Sequence, residues 1–361
     1  MRTLVAVGFA AAATGLGRVM ERILTELAPV FDVHWLALGH KGGVARRGEV
    51  WLHPSNVHGG DVFGVEAGRA LADELGAEVV LLYNDLWLVE KYQRTFDHER
   101  RPRVVAYCPV DGRIVDDLAE SVDWVDDLVV YTEFARRQLP GAHVIGHGVD
   151  DPAFEPIDRS VPSERFAVLN ANRLQPRKRI DITIDAFELF AADRADAELH
   201  LHHAIVGMDE TGWVTERVAA SPVCDRIQVG REPLSRAELN ALYSRCNVGL
   251  NTAMGEGWGL VSFEHALTGA AQVVPRHSAC EELWDGAAEM VDPVGAEMPP
   301  FARVEMQTVS ASDVAAALAR LYDDREFLEH MSAAAQARAS EPRFSWKAVG
   351  AQWRELLAGG R

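Results

Sequence analysis

Short apolar runs alternate with amphipathic stretches along the first half of the chain. Thr3–Val7, Val33–Leu38, Val79–Tyr83, Val104–Cys108, Leu128–Tyr131 and His143–Ile145 are rich in Val, Leu and aromatic residues, and each predicts a strand. Between them, Arg18–Leu27 and Val65–Leu75 place apolar residues at helical spacing. Strands alternating with helices predict a parallel sheet covered on both faces. Asp150–Pro162 then breaks the periodicity and reads as a linker.

A second alternating series opens with strand Phe166–Asn170, helix Ile180–Ala192, strand Glu198–Val206 and helix Trp213–Ala219. It continues with strand Ile227–Gly230, helix Ser235–Tyr243, strand Val248–Asn251, helix Leu260–Thr268 and strand Gln272–Val274. Pro222 and Pro233 mark turns, and from Ser312 onward the chain is Ala-rich and helical, with Trp346 and Trp353 as anchors. The pattern predicts an α/β chain of two doubly wound domains, over 1–150 and 163–340. A linker over 151–162 joins them, and a terminal helix over 341–361 packs back toward the first domain. Two such domains in tandem create a cleft between facing carboxyl ends of strands, where ligands bind and phosphates sit at helix N-termini.

A length of 361 residues suits two domains. Charge narrows the partners. With 36 basic against 54 acidic residues the net charge is −18, and a nucleic-acid binder needs clustered Lys and Arg to displace counterions. The same imbalance disfavours an anionic bilayer, although Arg100–Arg103 forms a local basic patch. Cys108, Cys224, Cys246 and Cys280 form no CxxC pair, so reduced thiols in the cytoplasm are expected rather than a disulfide framework or a zinc site. Leu4–Ala13 is apolar and follows Arg2, as in a short signal peptide. A buried first strand is the preferred reading, because helical periodicity resumes at Val19, Ile23, Leu24 and Leu27. No run of about 18 apolar residues predicts a transmembrane helix.

Candidate chemistry concentrates at Gly255-Glu256-Gly257-Trp258-Gly259-Leu260-Val261-Ser262-Phe263-Glu264. Three glycines in five positions follow a predicted strand and precede a predicted helix. Glycine lets backbone amides approach a ligand closely, and a helix start offers unpaired N–H groups and a positive dipole end. A diphosphate fits there, with Glu256 and Glu264 accepting hydrogen bonds from hydroxyls. A glycine turn beside two solvated glutamates fits the same spacing.

This segment resembles the E-x7-E motif of retaining glycosyltransferases of the GT-B fold, the family 4-like group. Asn172-Arg173-Leu174 with Arg177-Lys178-Arg179 resembles that family's Arg-plus-Lys element. His147-Gly148-Val149-Asp150 through Phe154 and Pro156 resembles its interdomain segment, and Glu281-Glu282-Leu283 before Asp285-Gly286 the element closing its donor site. The four segments occur in order over residues 140 to 295. The resemblance implies two Rossmann-like domains facing a cleft. It implies that Arg173 and Lys178 hold a donor diphosphate, that Glu264 accepts from ribose hydroxyls, and that Glu256 faces the donor sugar beside the amides of Gly257, Trp258, Gly259 and Leu260. Two fixed cations stabilise the charge of a departing nucleoside diphosphate and stand in for a divalent metal. Arg177 and Arg179 read as solvated.

In the first half, Thr14-Gly15-Leu16-Gly17-Arg18 fails as a dinucleotide fingerprint, since Met20 takes the third small position and no acid follows Leu38-Gly39-His40-Lys41. The resemblance implies that Gly15 and Gly17 reach the donor phosphates; a plain strand–helix turn fits equally. The family's histidine near the reacting carbon is absent from Ala106-Tyr107-Cys108-Pro109-Val110-Asp111-Gly112. Asp111 is the candidate substitute, with Asn84 and Asp85 as further candidates, and an Asp-Gly turn fits the same residues. His200, His202 and His203 alternate on a predicted strand, and His53 and His58 flank a loop; core or surface roles are preferred to metal ligation. Asp116-Asp117 and Asp126-Asp127 read as solvated turns rather than a metal motif.

The resulting expectation is a metal-independent retaining glycosyltransferase with no cofactor. It takes a UDP- or GDP-linked sugar as co-substrate and a small-molecule, glycan or glycolipid acceptor. Rival readings are a noncatalytic nucleotide-sugar-binding regulatory protein and an epimerase or phosphorylase of the same fold.

Overall fold

The computed structural model describes residues 1–10, 14–55, 59–98, 100–157, 165–203, 212–299 and 302–359. They form two compact units, Met1–Gly148 with Pro342–Arg361, and Val149–Glu341. In the first, the strands are β1 Arg2–Phe9, β2 Phe31–Leu38, β3 Ala45–Arg47, β4 Val50–Pro54, β5 Val79–Tyr83, β6 Arg103–Cys108, β7 Arg113–Ile114, β8 Asp127–Val130 and β9 His143–Val144. The helices among them are α1 Gly15–Leu27, α2 Val65–Leu75, α3 Leu86–Phe96 and α4 Glu133–Gln138. The sheet runs β3-β4-β2-β1-β5-β6-β8-β9. Its pairings are parallel except the short β3–β4 hairpin. Leu4, Val5, Ala6 and Val7 at its centre are fully buried, as expected where helices cover both faces.

The second unit contains β10 Phe166–Asn170, α5 Ile180–Ala191, β11 Ala197–His202, α6 Trp213–Ala219, β12 Ile227–Gly230, α7 Arg236–Arg245 and β13 Val248–Leu250. It continues through α8 Leu260–Leu267, β14 Ala271–Pro275, α9 Ser278–Trp284, β15 Glu289–Val291, the hairpin β16 Gly295–Glu297 and β17 Val304–Thr308, then α10 Ala311–Asp323 and α11 Arg325–Ala339. The order β12-β11-β10-β13-β14-β15 is all parallel. Phe166, Val168, Phe187, Phe190, Leu199 and Leu318 fill its core. Strand order reverses between β10 and β13, which pair at Val168–Val248 and Leu169–Gly249. The loops leaving these two strands therefore meet at the switch point, where doubly wound sheets bind ligands.

The chain then returns to the first unit as α12 Trp346–Ala358. Arg354 Nη1 donates to Glu26 O (2.7 Å) and Arg2 Nη1 to Leu357 O (2.9 Å). Trp353 is fully buried edge-on to Tyr107, ring centroids 4.9 Å apart. A Cβ on Gly350 would lie 2.6 Å from Glu26 Cβ, so a side chain there would clash with α1.

Several boundaries differ from the sequence reading. Helix α1 begins at Gly15, not Arg18, because Thr14 caps it, Oγ1 accepting from Gly17 N at 3.1 Å. The strand expected over Glu198–Val206 ends at His202, and its continuation beyond 203 lies outside the described residues, as do the linker past 157 and His58. Ser235 is the cap of α7 rather than its first residue, in a reciprocal capping box with Glu238.

Candidate active site

The loop after β10 is held from below by a chain of buried hydroxyls and amides. Asn170 accepts from the Asn172 N–H (3.0 Å) and donates to Thr183 Oγ1 (2.8 Å). Thr183 pairs with Thr252 (2.7 Å), whose hydroxyl reaches the carbonyls of Lys178 (3.1 Å) and Arg179 (2.9 Å). Arg179 turns the chain at φ 48° and heads α5. Pinning both carbonyls directs Lys178 inward, where it is buried.

The loop after β13 supplies its partner. Lys178 Nζ bonds directly to Glu256 Oε2, and both side chains are buried. Arg177 Nη1 donates to Gly255 O (2.6 Å), and the Met254 N–H to Arg177 O (2.8 Å). Burial alone would raise the Glu256 carboxyl. The charges of Lys178 and Arg177, with hydrogen bonds from Lys178 and Asn251, outweigh it and hold the group below the usual range, so it is an anion. A buried ion pair of this kind adds little to fold stability, because desolvation offsets attraction. Perturbed charges at a switch point point instead to function.

The glycines have separate reasons. Gly259, the N-cap of α8, sits at φ 91°, and a Cβ there would meet Glu256 Cγ at 3.3 Å. Trp258 is buried and stacks on Phe263 (5.6 Å), which packs against Trp284 (4.6 Å), so the turn rests on an aromatic floor. Leu260 opens the helix, and one turn later Glu264 is buried and accepts from Tyr243 OH at 3.4 Å.

The structure thus brings Lys178, Glu256 and the Gly257–Leu260 turn together. Arg173 is half-buried on the same loop as Lys178. Gly15, Gly17, Asn84, Asp85 and Asp111 belong to the first unit. There Gly17 lies within the first turn of α1 rather than in a loop, and Asn84 Nδ2 donates to Tyr92 OH (3.1 Å). Arg177 and Arg179 are not solvated cations. Arg177 ties the glycine turn, and Arg179 is bonded to Asp181 and Thr308. Asp126 is exposed in a bend and pairs with Arg101, whereas Asp127 opens β8, half-buried and paired with Arg103. His200 bonds Glu198 (2.9 Å), His203 the Asn172 carbonyl (2.6 Å) and His53 the His34 ring (2.9 Å). Glu281 is exposed on α9. Among the described residues, no three His, Cys, Asp or Glu side chains are placed to hold a metal ion.

Two residues against the site escape the sequence reading, His277 and Ser278. Ser278 Oγ accepts from the Glu256 N–H (3.2 Å), and the Ala279 N–H donates to Glu256 O (3.2 Å). The available signal was a polar His-Ser pair two residues beyond Pro275, at the start of a helix.

Two doubly wound units, one with a buried Lys–Glu pair under a glycine-rich helix start, are the GT-B glycosyltransferase class. Within it the chain belongs to the family described as Family 4 Glycosyltransferase in conflict systems, whose model matches residues 128–352. D-inositol 3-phosphate glycosyltransferase from Thermobispora bispora is 24% identical over 267 residues, covering 66% of this chain and 56% of that relative. The chain therefore spans little more than half of the curated relative it matches. Sucrose-phosphate synthase from Thermosynechococcus elongatus superposes with a TM-score of 0.78 at 14% identity, covering 100% of both chains. HepE of Anabaena, in complex with UDP-glucose, superposes at 0.75 with 14% identity, over 99% of this chain and 100% of that one. At such identities these likenesses concern the fold.

Proposed function

We propose that the chain transfers a sugar from a nucleotide-diphospho sugar to an acceptor hydroxyl, with retention at the anomeric carbon and without a metal ion or cofactor. The observation that carries this reading is the buried Lys178–Glu256 pair beside the turn that opens α8. It supplies a cation for a diphosphate and a carboxylate for sugar hydroxyls within one contact. Lys178 and Arg173 take the diphosphate, helped by the helix-start amides at Gly257, Trp258, Gly259 and Leu260. Glu264 takes the ribose, and Glu256 the sugar. HepE's complex with UDP-glucose favours a UDP-linked donor, with GDP the alternative base.

In the reaction, the bond from the anomeric carbon to the diphosphate breaks and a bond to the acceptor oxygen forms on the same face. The acceptor proton passes to a donor phosphate oxygen. Lys178 and Arg173 stabilise the charge that builds on the leaving group. Asp111 is assigned to the acceptor hydroxyl, in place of the family's histidine, and Gly15 and Gly17 to the phosphate side. The acceptor is a small molecule, a glycan or a glycolipid. Four cysteines held as thiols support a reducing compartment, the cytoplasm. Among the described residues, no helix is long and apolar enough to cross a membrane.

The test is calorimetric titration with UDP, GDP, ADP and TDP in EDTA, repeated on Arg173→Ala and Glu264→Ala. Selective binding by the wild type, weakened about tenfold or more by both substitutions, is expected for lost charge-assisted contacts. Binding to none of the four, or binding indifferent to both changes, would sink the assignment.

A further inference from the structure

Glu256 stands between two glycines, Gly255 and Gly257. Glycine on both sides leaves the intervening peptide groups with more freedom than any other neighbours would. A carboxylate that must meet particular sugar hydroxyls is poorly served by such a backbone unless something else fixes it. Both main-chain groups of Glu256 are in fact tied to one place, the head of α9. Ser278 Oγ takes its N–H at 3.2 Å, and the Ala279 N–H takes its carbonyl at 3.2 Å.

Ser278 adopts φ 48°, a left-handed conformation that side-chain-bearing residues rarely occupy. Glycine would fit that backbone without strain, yet it would bring no hydroxyl. Strain of this sort persists where the surroundings over-determine it, and it clusters at functional sites. His277 completes the arrangement. Its ring is buried, with Nδ1 3.1 Å from Ser278 Oγ. Burial pushes its pKa down to about 4, so the ring is neutral at pH 7. In the tautomer protonated at Nε2, Nδ1 accepts the Ser278 hydroxyl proton, which turns the oxygen's lone pairs toward the Glu256 N–H.

We infer that Ser278, oriented by His277, is a positioning residue that holds the Glu256 carboxylate in register for the donor sugar. The inference rests on the glycosyltransferase reading for its purpose, though not for its geometry. It requires that Ser278 act chiefly on the sugar half of the donor, since the Glu256 carboxylate keeps its charge and its bond to Lys178 while its register against the sugar shifts.

The experiment compares Ser278→Gly and Ser278→Ala with the wild type. Ligands are UDP against UDP-glucose and GDP against GDP-mannose, by calorimetry, with melting temperatures recorded. Ser278→Gly relieves the left-handed strain and melts no lower than wild type, whereas Ser278→Ala keeps the strain and melts lower. In both, the diphosphate Kd stays within about twofold while the nucleotide-sugar Kd weakens about fivefold or more, the scale of one misplaced hydrogen-bonding group. A loss that follows melting temperature, or that falls equally on both ligands, or no loss at all, overturns the inference. Amide hydrogen exchange at Glu256 separates this from failure of the underlying reading. If the wild type binds no nucleotide, exchange about tenfold faster in Ser278→Gly keeps the positioning role and discards the glycosyltransferase. Unchanged exchange overturns the positioning role itself.

Discussion

Lys178 and Glu256 neutralise each other in a direct buried contact, which sets the sign of what either substitution does to a diphosphate. A diphosphate entering beside Lys178 meets a cation already engaged and a carboxylate that repels it. Glu256→Gln removes the repulsion and releases the ammonium group. We expect UDP or GDP to bind about fivefold more tightly to Glu256→Gln, because a like charge next to the ligand has gone. The advantage of the nucleotide sugar over the bare diphosphate should shrink, since the sugar loses its carboxylate. Lys178→Met should do the reverse and weaken the diphosphate. The free protein tolerates neither change well: breaking a buried pair costs about 3–5 kcal/mol when one charge is left behind. Calorimetry on the two variants, read beside their urea midpoints, checks both signs. Unchanged or weaker diphosphate binding to a folded Glu256→Gln would refute the competition between partner and ligand.

At the scale of the elements, the turn between β13 and α8 is where sequence and geometry agree most closely. Gly259 shows why. It needs φ 91°, and a methyl group there would press on Glu256 Cγ at 3.3 Å. Gly259→Ala should lower stability by about 1–2 kcal/mol from the left-handed backbone. It should also weaken the nucleotide sugar, which a substitution at Gly76, equally left-handed at φ 60° but with nothing near its Cβ, would not. Parallel urea melts and titrations of Gly259→Ala and Gly76→Ala test this, and equal effects would show that backbone strain alone is at work. Glycine spacing made this turn legible because only backbone geometry is at stake. Strands were legible for a similar reason: residues 79–83 and 166–169 are hydrophobic in sequence because both faces of each strand are buried. The misreadings share a cause as well. Thr14 recruits Gly15 and Gly17 into α1 by capping, against their low helix propensity. Ala45–Arg47 is exposed at all three positions and has no apolar pattern to announce a strand. Arg177 and Ser278 act through the Gly255 carbonyl and the Glu256 N–H, distant in sequence, and no local pattern encodes a partner that only the folded sheet brings near.

Across the whole molecule, each unit buries a histidine that must stay neutral. In the first, burial lowers His147 to about 3, slightly opposed by a hydrogen bond at Gly146, while its Nδ1 lies 2.8 Å from Tyr107 OH. In the second, burial lowers His277 to about 4. Both folded values lie below the ordinary 6.5, so between the two the unfolded chain binds the extra proton and stability falls as pH falls. The loss begins near pH 6.5 and is complete only below the folded values. Each pKa unit is worth about 1.4 kcal/mol, which gives roughly 3 kcal/mol for the second unit by pH 4. His53 and His202, also lowered by burial, add in the same direction, one in each unit. An opposing effect exists, since the net charge of −18 shrinks toward the pI near 5.1 and self-repulsion relaxes. At about 0.15 M salt the Debye length is about 8 Å, so that relaxation is screened while the buried rings are not. Urea midpoints for each unit, read from pulsed hydrogen exchange of its own peptides, should therefore fall from pH 7 to pH 5, before most carboxylates titrate. His147→Gln should flatten the profile of the first unit only, and His277→Gln that of the second only. Because His277 stays neutral in the folded unit until about pH 4, nucleotide-sugar affinity should hold from pH 7 to pH 5 while the midpoint falls, and should drop only below that range. Midpoints that stay level across this range would show that the two rings are solvated and charge freely, and would remove the basis for a neutral His277 beside the site.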